Sequence, residues 1–320
     1  MNLPVSLIKT ELENFEQRFK DAVKSQTPLL NTILRYIVKR KGKQIRPMFV
    51  FLAARLFGST TEATYRTASL VEILHTATLV HDDVVDDSLE RRGFFSVYAL
   101  WKNKASVLVG DYLFAKGLIL SLENNDFRIL QILTDAVRKM SEGELLQLEK
   151  ARTLNLKEDI YYEIIKNKTA SLLASACSAG AWSSTQNDEY AERMRLFGEK
   201  TGIAFQIKDD LFDYANEDVG KPTGNDIKEK KMTLPLIYTL NNTDKPTRQK
   251  IINIVKNNNN DKKKVAWVLE TVKNTGGIDY ATQKMQDYKK EALELLTLCP
   301  DNEFRKGLED LVDYVTERKY

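Results

Sequence analysis

Apolar residues recur every three or four positions through most of this chain. In LLNTILRYIVKR, the stretch from 29 to 40, they form the stripe Leu30, Ile33, Leu34 and Ile37, and the stretch from 308 to 320 has the same spacing. This period puts apolar side chains on one face of an α-helix, whereas a half-buried strand alternates at every second position. No stretch shows sustained strand alternation between turn signals. The pattern predicts an all-α fold of about a dozen helices.

The predicted breaks between helices are short, and proline and glycine number only 7 and 14 among 320 residues. Short connections are typical of a compact helical bundle. We therefore predict one domain over residues 1–320. Hydrophobic residues make up 42% of the chain, which is enough for a sizeable core.

Charge and cysteine content limit the classes of partner and compartment. The net charge is +3, from 48 basic and 45 acidic residues, so the overall charge does not favour nucleic-acid binding. Cys177 and Cys299 have no metal-ligand spacing and fit a reducing compartment. The N-terminus lacks a signal-peptide pattern, and no apolar run reaches transmembrane length. These features predict a soluble cytoplasmic protein.

Four aspartates crowd into six positions of LVHDDVVDDS, the stretch from 79 to 88. Asp82 and Asp86 are four residues apart, as are Asp83 and Asp87, so each pair lies on one face of a helix. Like charges at this spacing destabilise a helix unless something neutralises them. The preceding residues are mostly apolar, which argues against a loose acidic surface.

A second cluster in FQIKDDLFDYAN, the stretch from 205 to 216, repeats the form D-D-x-x-D with Asp209, Asp210 and Asp213. A single acidic helix face is usually only solvated, but two copies that each close an apolar helix are harder to explain in that way. Clustered carboxylates without histidine or thiolate suit magnesium, which shares its remaining sites with phosphate oxygens. The two clusters together predict a site for magnesium and a diphosphate.

Basic residues follow or precede these clusters at helix ends and glycine-containing turns. They are Lys43, Arg46, Arg91, Arg92, Lys168, Lys221 and Lys231. Arginine can chelate phosphate through two parallel hydrogen bonds, whereas lysine acts as a point charge. Any one of them alone is best explained as a solvated surface cation, and only their placement favours diphosphate binding. The histidines His75 and His81 point to different helix faces and do not form a paired zinc site.

At this point the chain resembles the trans-isoprenyl diphosphate synthases. LHTATLVHDDVVDDSLERRG and FQIKDDLFDY are similar to the two aspartate-rich motifs of that family, and further segments match in order from about residue 41 to residue 235. Those segments are GKQIRP, VGDYLFAKG, SEGELLQLE, KTASL and GKPTGNDIKEKKMTLP. The chain departs from the family pattern at Lys41, Gln44 and Lys230.

The resemblance implies an all-α fold around a deep central cavity, usually in a homodimer, and two or three magnesium ions. The implied metal ligands are Asp82, Asp83, Asp86, Asp209 and Asp213. Contacts to the allylic diphosphate are implied for Arg91, Lys168, Lys221 and Lys231. Contacts to isopentenyl diphosphate are implied for Lys43, Arg46, His75 and Arg92. Thr169 and Gln206 match positions whose oxygens face the developing carbocation, and Asp210 completes the predicted catalytic set.

The expected reaction begins when the allylic C–O bond ionises as metal and basic residues stabilise the leaving diphosphate. The double bond of isopentenyl diphosphate then attacks the cation, and a proton is lost to the diphosphate. A water-poor cavity would protect the cation.

Two small residues upstream of the first cluster bear on product length. Ala77 and Thr78 lie about one helical turn, or 5.4 Å, before Asp82, and in this family aromatic side chains at those positions accompany short products. Small residues therefore predict a long-chain polyprenyl product, and we predict a quinone side-chain synthase with a peripheral membrane contact for product release. Close helix packing remains the alternative explanation for both residues.

Other functions stay open at this point. A medium-chain farnesyl or geranylgeranyl diphosphate synthase has the same motifs. A non-catalytic regulatory subunit would be expected to lose aspartates from one motif, and both motifs are intact. A His-Asp phosphohydrolase requires a further upstream histidine, and a terpene cyclase tends to lack the second D-D-x-x-D.

Overall fold

α-Helices form most of the chain in this computed structural model, which describes residues 3–40, 42–91, 93–153, 157–214 and 224–318. The helices are α1 (Lys9–Ala22), α2 (Pro28–Lys39), α3 (Ile45–Phe57), α4 (Glu62–Val85), α5 (Val97–Leu122), α6 (Phe127–Thr153), α7 (Glu158–Ile165), α8 (Ser171–Thr185), α9 (Asp188–Phe212), α10 (Asn225–Lys228), α11 (Leu234–Asn241), α12 (Lys245–Asn257), α13 (Lys262–Asn274), α14 (Gly277–Thr297) and α15 (Glu303–Glu317). The all-α prediction is confirmed.

Three short elements complete the described chain. A 3₁₀ turn (Val5–Ile8) precedes α1, and a π-helical turn (Lys166–Ala170) joins α7 to α8. Strands β1 (Glu90–Arg91) and β2 (Phe94–Phe95) form an antiparallel hairpin. The hairpin was not predicted, because two residues per strand are too few to leave an alternating pattern in the sequence.

The centre of the fold is built on α3 and α8. Helix α8 packs against α3, α4, α6 and α9, and most of its side chains are buried alanine and serine. Such small side chains allow close approach of the surrounding helices. A Cβ on Gly180, for example, would lie 2.5 Å from the carbonyl oxygen of Val50 in α3. The residues in this centre pack against the large side chains of α3, including Phe49 and Phe51.

Helices α4 and α9 carry the two aspartate clusters at their C-terminal ends. Helix α4 starts with a capping box between Thr61 and Thr64, and α9 starts with Asn187, whose side chain accepts hydrogen bonds from two backbone N–H groups. Both helices are long, with 24 and 25 residues, so they span the bundle and deliver their last turns to one end of it. Asp86 follows α4 directly, and Asp213 follows α9.

Helix α5 corrects one expectation drawn from the sequence. Among the described helices it is long and apolar enough to cross a membrane by length and composition, so the expectation that no apolar stretch reaches this length was wrong for α5. Charged residues such as Lys104 and Asp111 interrupt the apolar run, but the mean hydropathy of the helix remains high. Only 33% of its most apolar stretch is buried. Leu108 is 67% exposed and Leu122 is 50% exposed.

Candidate active site

The ends of both aspartate helices line one cavity of about 500 Å³. Asp86 enters it from the end of α4, and Asp209 and Asp210 from the last turn of α9. Lys168 from the π-helical turn and Lys231 from the segment after α10 line the same cavity. The structure therefore brings together two clusters that lie more than a hundred residues apart in the sequence, together with two of the predicted phosphate-binding cations.

Asp82 is held in a partly desolvated position near this cavity. Burial raises the pKa of the Asp82 carboxyl to about 6, and the negative charges of Glu144 and Asp86 add to the shift, whereas the positive charge of Lys168 opposes it. The same groups thus surround Asp82 and line the cavity. A carboxylate in such a place is costly to ionise unless a cation accompanies it.

A chain of hydrogen bonds fixes the groups on one wall of the cavity. The Thr169 hydroxyl donates to Gln206 Oε1 at 2.8 Å, and Gln206 Nε2 donates to Asp210 Oδ1 at 2.9 Å. The Tyr161 hydroxyl donates to the other Asp210 oxygen at 2.7 Å. Burial raises the pKa of Asp210 to about 6 although both hydrogen bonds lower it. Asp210 therefore orients Gln206, and Gln206 orients Thr169.

Asp209 is half exposed and is paired with Arg318, which directly follows α15. Arg318 Nη2 donates to Asp209 Oδ1 at 2.8 Å, and the guanidinium lies over the rings of Phe205 and Phe212. The pair places a cation from the end of α15 beside an aspartate that lines the cavity. No sequence pattern predicted this contact, because 109 residues separate the partners.

Asp213, also predicted as a metal ligand, caps the short helix α10. Its two carboxylate oxygens accept the backbone N–H groups of Asn225 at 2.8 Å and Asp226 at 3.2 Å. Burial raises the pKa of Asp213, and these backbone hydrogen bonds act against that rise. In this arrangement Asp213 holds the segment that carries Lys231. Its role as a metal ligand stays a prediction.

A second, smaller cavity of about 130 Å³ lies on the other side of the first cluster. It is lined by the predicted residues His75, Asp83 and Arg91. Asp83 is 3% exposed, and Arg91 Nε donates to its Oδ1 at 2.7 Å. Burial raises the pKa of Asp83, and Arg91 opposes the rise. Asp83 therefore lines the smaller cavity, whereas Asp82 lies near residues of the larger one, as expected for neighbours about 100° apart on a helix.

The other basic residues predicted to bind diphosphate lie in several different parts of the fold. Lys43 contacts the hydroxyl and ring of Tyr314 in α15, and Arg46 lies in the first turn of α3. Lys168 pairs with Glu144 at 2.5 Å, and Lys231 pairs with Glu229 at 2.5 Å. Burial lowers the pKa of Lys231, but the carboxylates of Glu229, Asp226 and Asp86 outweigh burial and raise it. Arg92 and Lys221 lie outside the described residues.

Several cavity residues were missed by the sequence reasoning. Glu144 and Gln147 of α6 both approach Lys168, and their segment had been matched to the family without a role. Asp226 has a pKa raised to about 8 by burial and by Asp210 and Asp213. In the smaller cavity, Arg40 lies with its guanidinium 3.3 Å from the Tyr36 ring centroid. Sequence spacing did not identify Arg40 as a site residue, because only the fold places it in the same cavity as His75.

The two predicted chain-length residues differ in environment. Ala77 is fully buried in the apolar cluster between α4, α2 and α5, beside Ile73, Val109 and Leu113. Thr78 is half-buried, and its hydroxyl donates to the His75 carbonyl at 2.8 Å. Helix α4 packs closely along α5 and contacts α6 at only a few positions. The surroundings of Ala77 favour the packing alternative, whereas Thr78 lies almost directly below Asp82 on the helix.

The carboxylates of this region fit a hard divalent cation by their chemistry. They are oxygen donors with raised pKa values at Asp82 and Asp226, beside lysines that suit phosphate. Within the described residues, no three carboxylate, imidazole or thiolate side chains converge on one point. The reason is visible in the contacts above: Asp83 turns to Arg91, Asp209 to Arg318 and Asp213 to α10.

Comparisons with known proteins identify the family of this chain. The polyprenyl synthetase family model matches residues 27–272. The chain is 34% identical to an all-trans-nonaprenyl-diphosphate synthase (geranyl-diphosphate specific) of Rhodobacter capsulatus, over 95% of this chain and 93% of the relative. A polyprenyl synthase of Caulobacter crescentus, solved in complex with calcium and isoprenyl diphosphate, superposes with a TM-score of 0.91 at 34% identity, covering 99% and 97% of the two chains.

A third comparison concerns product length. The structure is similar to a geranylgeranyl pyrophosphate synthase of Bacteroides thetaiotaomicron, with a TM-score of 0.84, 39% identity and 98% coverage of both chains. The fold and the carboxylate-lined cavity define an all-α enzyme of isoprenoid synthesis. The chain belongs to the polyprenyl synthetase family and is a prenyltransferase, a polyprenyl diphosphate synthase.

Proposed function

We propose that this enzyme condenses isopentenyl diphosphate head-to-tail with an allylic diphosphate, in a magnesium-dependent reaction, to make an all-trans long-chain polyprenyl diphosphate. The observation that carries the proposal is the cavity that Asp86, Asp209, Lys168 and Lys231 line together. Its mixture of carboxylates and lysines suits a diphosphate bound through metal ions. The similar nonaprenyl diphosphate synthase supports a long product.

Asp82, Asp86 and Asp209 are the residues that would hold magnesium. When bound, the metal supplies positive charge to the diphosphate oxygens and so favours its departure. Asp82 is suited to this role because its desolvated carboxylate gains most from a cation partner. Asp209 would exchange Arg318 for the metal.

Lys168 and Lys231 would bind the allylic diphosphate from opposite sides of the cavity. Each is now paired with a carboxylate, Glu144 or Glu229, so each is held in place within the cavity wall. After the C–O bond ionises, the oxygens of Thr169 and Gln206 would face the cation. Their orientation is fixed in advance by Asp210 and Tyr161, so no reorganisation is needed when charge develops.

Isopentenyl diphosphate would bind in the smaller cavity, where His75, Arg91 and Arg40 lie. Arg91 also lowers the pKa of Asp82, so its charge acts at the boundary of the two cavities. This arrangement would place the double bond of one substrate next to the allylic carbon of the other. The proton released after bond formation would pass to the departing diphosphate.

The growing chain would extend between α4 and α6, where the helices make few contacts with each other. Thr78 would stand at the entrance of this gap, one turn before Asp82. A long product of this kind would suit a quinone side chain. A medium-chain product is the second candidate, and the 39% identity to a geranylgeranyl pyrophosphate synthase favours it.

The exposed apolar residues of α5 would form a homodimer interface. Leu100, Leu108, Leu118 and Leu122 are each at least 40% exposed on this helix. Exposed apolar side chains are costly in water, and a patch of them is typical of an interface. The two cysteines are buried as free thiols, which fits the proposed cytoplasmic location, and the apolar product would bring the enzyme into peripheral membrane contact at release.

One experiment tests the proposed reaction. The protein is incubated with magnesium, labelled isopentenyl diphosphate, and geranyl, farnesyl or geranylgeranyl diphosphate as primer, and the dephosphorylated products are separated by chain length. We expect elongation well beyond geranylgeranyl, and none when EDTA removes the metal. Products ending at geranylgeranyl would establish the medium-chain enzyme. Absence of elongation with every primer would refute the proposal and favour a regulatory subunit.

A further inference from the structure

The π-helical turn from Lys166 to Ala170 presents two active-site residues side by side. Such a turn accommodates one extra residue per turn, and single π turns inside α-helices are frequent at functional sites. Here Lys168 reaches Glu144 of α6, and the next residue, Thr169, reaches Gln206 of α9. Both residues line the larger cavity. The shape of this turn therefore decides where both polar groups stand.

Two glycines on different helices contact the backbone of the turn. A Cβ on Gly143 of α6 would lie 2.8 Å from the backbone nitrogen of Lys168 and 3.0 Å from Cβ of Asn167. A Cβ on Gly202 of α9 would lie 2.6 Å from Cα and 2.8 Å from Cβ of Ala170. These clashes involve backbone atoms, so a side chain at either glycine would push the helix and the turn apart.

Each glycine is also close in sequence to the residue that makes the polar contact with the turn. Gly143 directly precedes Glu144, the partner of Lys168. Gly202 is four residues before Gln206, the partner of Thr169, so both lie on the same face of α9. A shift of either helix at its glycine would therefore lengthen the polar contact made one residue or one turn away.

We propose that Gly143 and Gly202 are positioning residues, which clamp the π-helical turn so that Lys168 and Thr169 meet the substrate at the correct distance. The inference rests on the proposed prenyl transfer. It adds two residues that touch no substrate and act only through the backbone of the turn. Misplacement of a reacting group by about 1 Å can cost about a hundredfold in rate, so a small displacement would be visible in the kinetics.

The chain offers a matched control at Gly198. A Cβ there would lie 2.7 Å from Cα of Ala174 and 2.8 Å from the Leu173 carbonyl oxygen. Gly198 lies four residues before Gly202 on α9, and Ala174 lies four residues after Ala170, on α8; neither lines the larger cavity. Gly198→Ala therefore introduces a nearly equal clash between α8 and α9 without touching the π-helical turn.

The test compares Gly143→Ala, Gly202→Ala and Gly198→Ala by unfolding temperature and by kcat and KM for both substrates, at a temperature where all variants are folded. All three should unfold at lower temperature than the wild type. In Gly143→Ala and Gly202→Ala we expect kcat to fall about tenfold or more, and KM to change less than kcat does. In Gly198→Ala we expect kcat to stay near the wild-type value. An equal fall in all three, or no fall in the first two, would overturn the proposal.

Further outcomes are assigned in advance. If the wild type and Gly198→Ala both fail to elongate any primer, the proposed function fails and the clamp, which rests on it, fails with it. If both elongate while Gly143→Ala and Gly202→Ala keep the wild-type kcat, the clamp alone is overturned. If Gly202→Ala does not fold, the double variant Gly202→Ala/Ala170→Gly is measured in its place, because it lacks the clash between the two Cβ atoms. That double variant should fold with reduced kcat, since the contact to the Ala170 Cα remains, and a wild-type kcat would refute the clamp.

Discussion

A bulky side chain at Thr78 should shorten the product, whereas the same side chain at Ala77 should mainly destabilise the fold. Thr78 is half-buried, lies four residues before Asp82 on α4 and is therefore about 6 Å below it along the helix axis. An extended isoprene unit has about that length, so phenylalanine at position 78 should leave space for only one or two added units. Leu74 lies a further turn below and would no longer be reached.

The expected cost at Ala77 follows from its surroundings. Its side chain is fully buried against Ile73, Val109 and Leu113, and α5 approaches α4 closely because Gly117 faces Leu70. Overpacking of such a site costs about 1–3 kcal/mol. Ala77→Phe should therefore lower the unfolding temperature and leave the product length unchanged.

The assay measures both quantities on both variants. Labelled isopentenyl diphosphate is elongated from farnesyl diphosphate, the product is dephosphorylated and its chain length is read by reverse-phase chromatography, and thermal unfolding is followed in parallel. Thr78→Val serves as the control, since it keeps the volume and removes the hydroxyl. Unchanged product length in Thr78→Phe would refute the gap between α4 and α6, and equal shortening in Ala77→Phe would refute the packing assignment.

Three further predictions concern charge. Asp82→Asn should abolish elongation yet raise the unfolding temperature at pH 8 in EDTA. Burial raises the pKa of Asp82 from its ordinary value of 3.8 to about 6, so the wild type loses stability as the pH rises through that range; a lower unfolding temperature of the variant at pH 8 would contradict this. Arg318→Ala should lower the magnesium concentration needed for half-maximal rate, because Asp209 loses a competing cation, and an increased requirement would show that the pair assists the metal. Arg40→Ala should raise KM for isopentenyl diphosphate more than for the allylic substrate, because its guanidinium lines the smaller cavity; Arg40→Lys is the control, and equal changes in both KM values would place Arg40 outside that site.

The sequence predicted the elements and the chemical groups well because both depend on local patterns. The stripe containing Ile33 and Leu34 became α2, and the stretch after residue 308 became α15. The D-D-x-x-D spacing identified the carboxylates because a helix fixes neighbours four residues apart. The two clusters were also predicted to form one site, and residues of both line the same cavity.

What the sequence could not reveal was the partner of each carboxylate. Asp83 and Asp82 are neighbours in sequence, yet one pairs with Arg91 and the other faces Glu144 and Lys168. Asp213 looked equivalent to Asp86, but its oxygens are taken by backbone N–H groups of α10. Helix periodicity gives the direction of a side chain relative to its own helix. It does not say what lies in that direction.

By itself the sequence determined the helices, the two acidic clusters and the family of the chain, since these follow from residue type and spacing over a few turns. Only the tertiary structure decided that Arg318 meets Asp209 and that Gly143 and Gly202 press on the turn carrying Lys168. These contacts join segments many residues apart, and their geometry is set by how closely whole helices pack. That distance depends on every side chain between the helices, so no short stretch of sequence contains it.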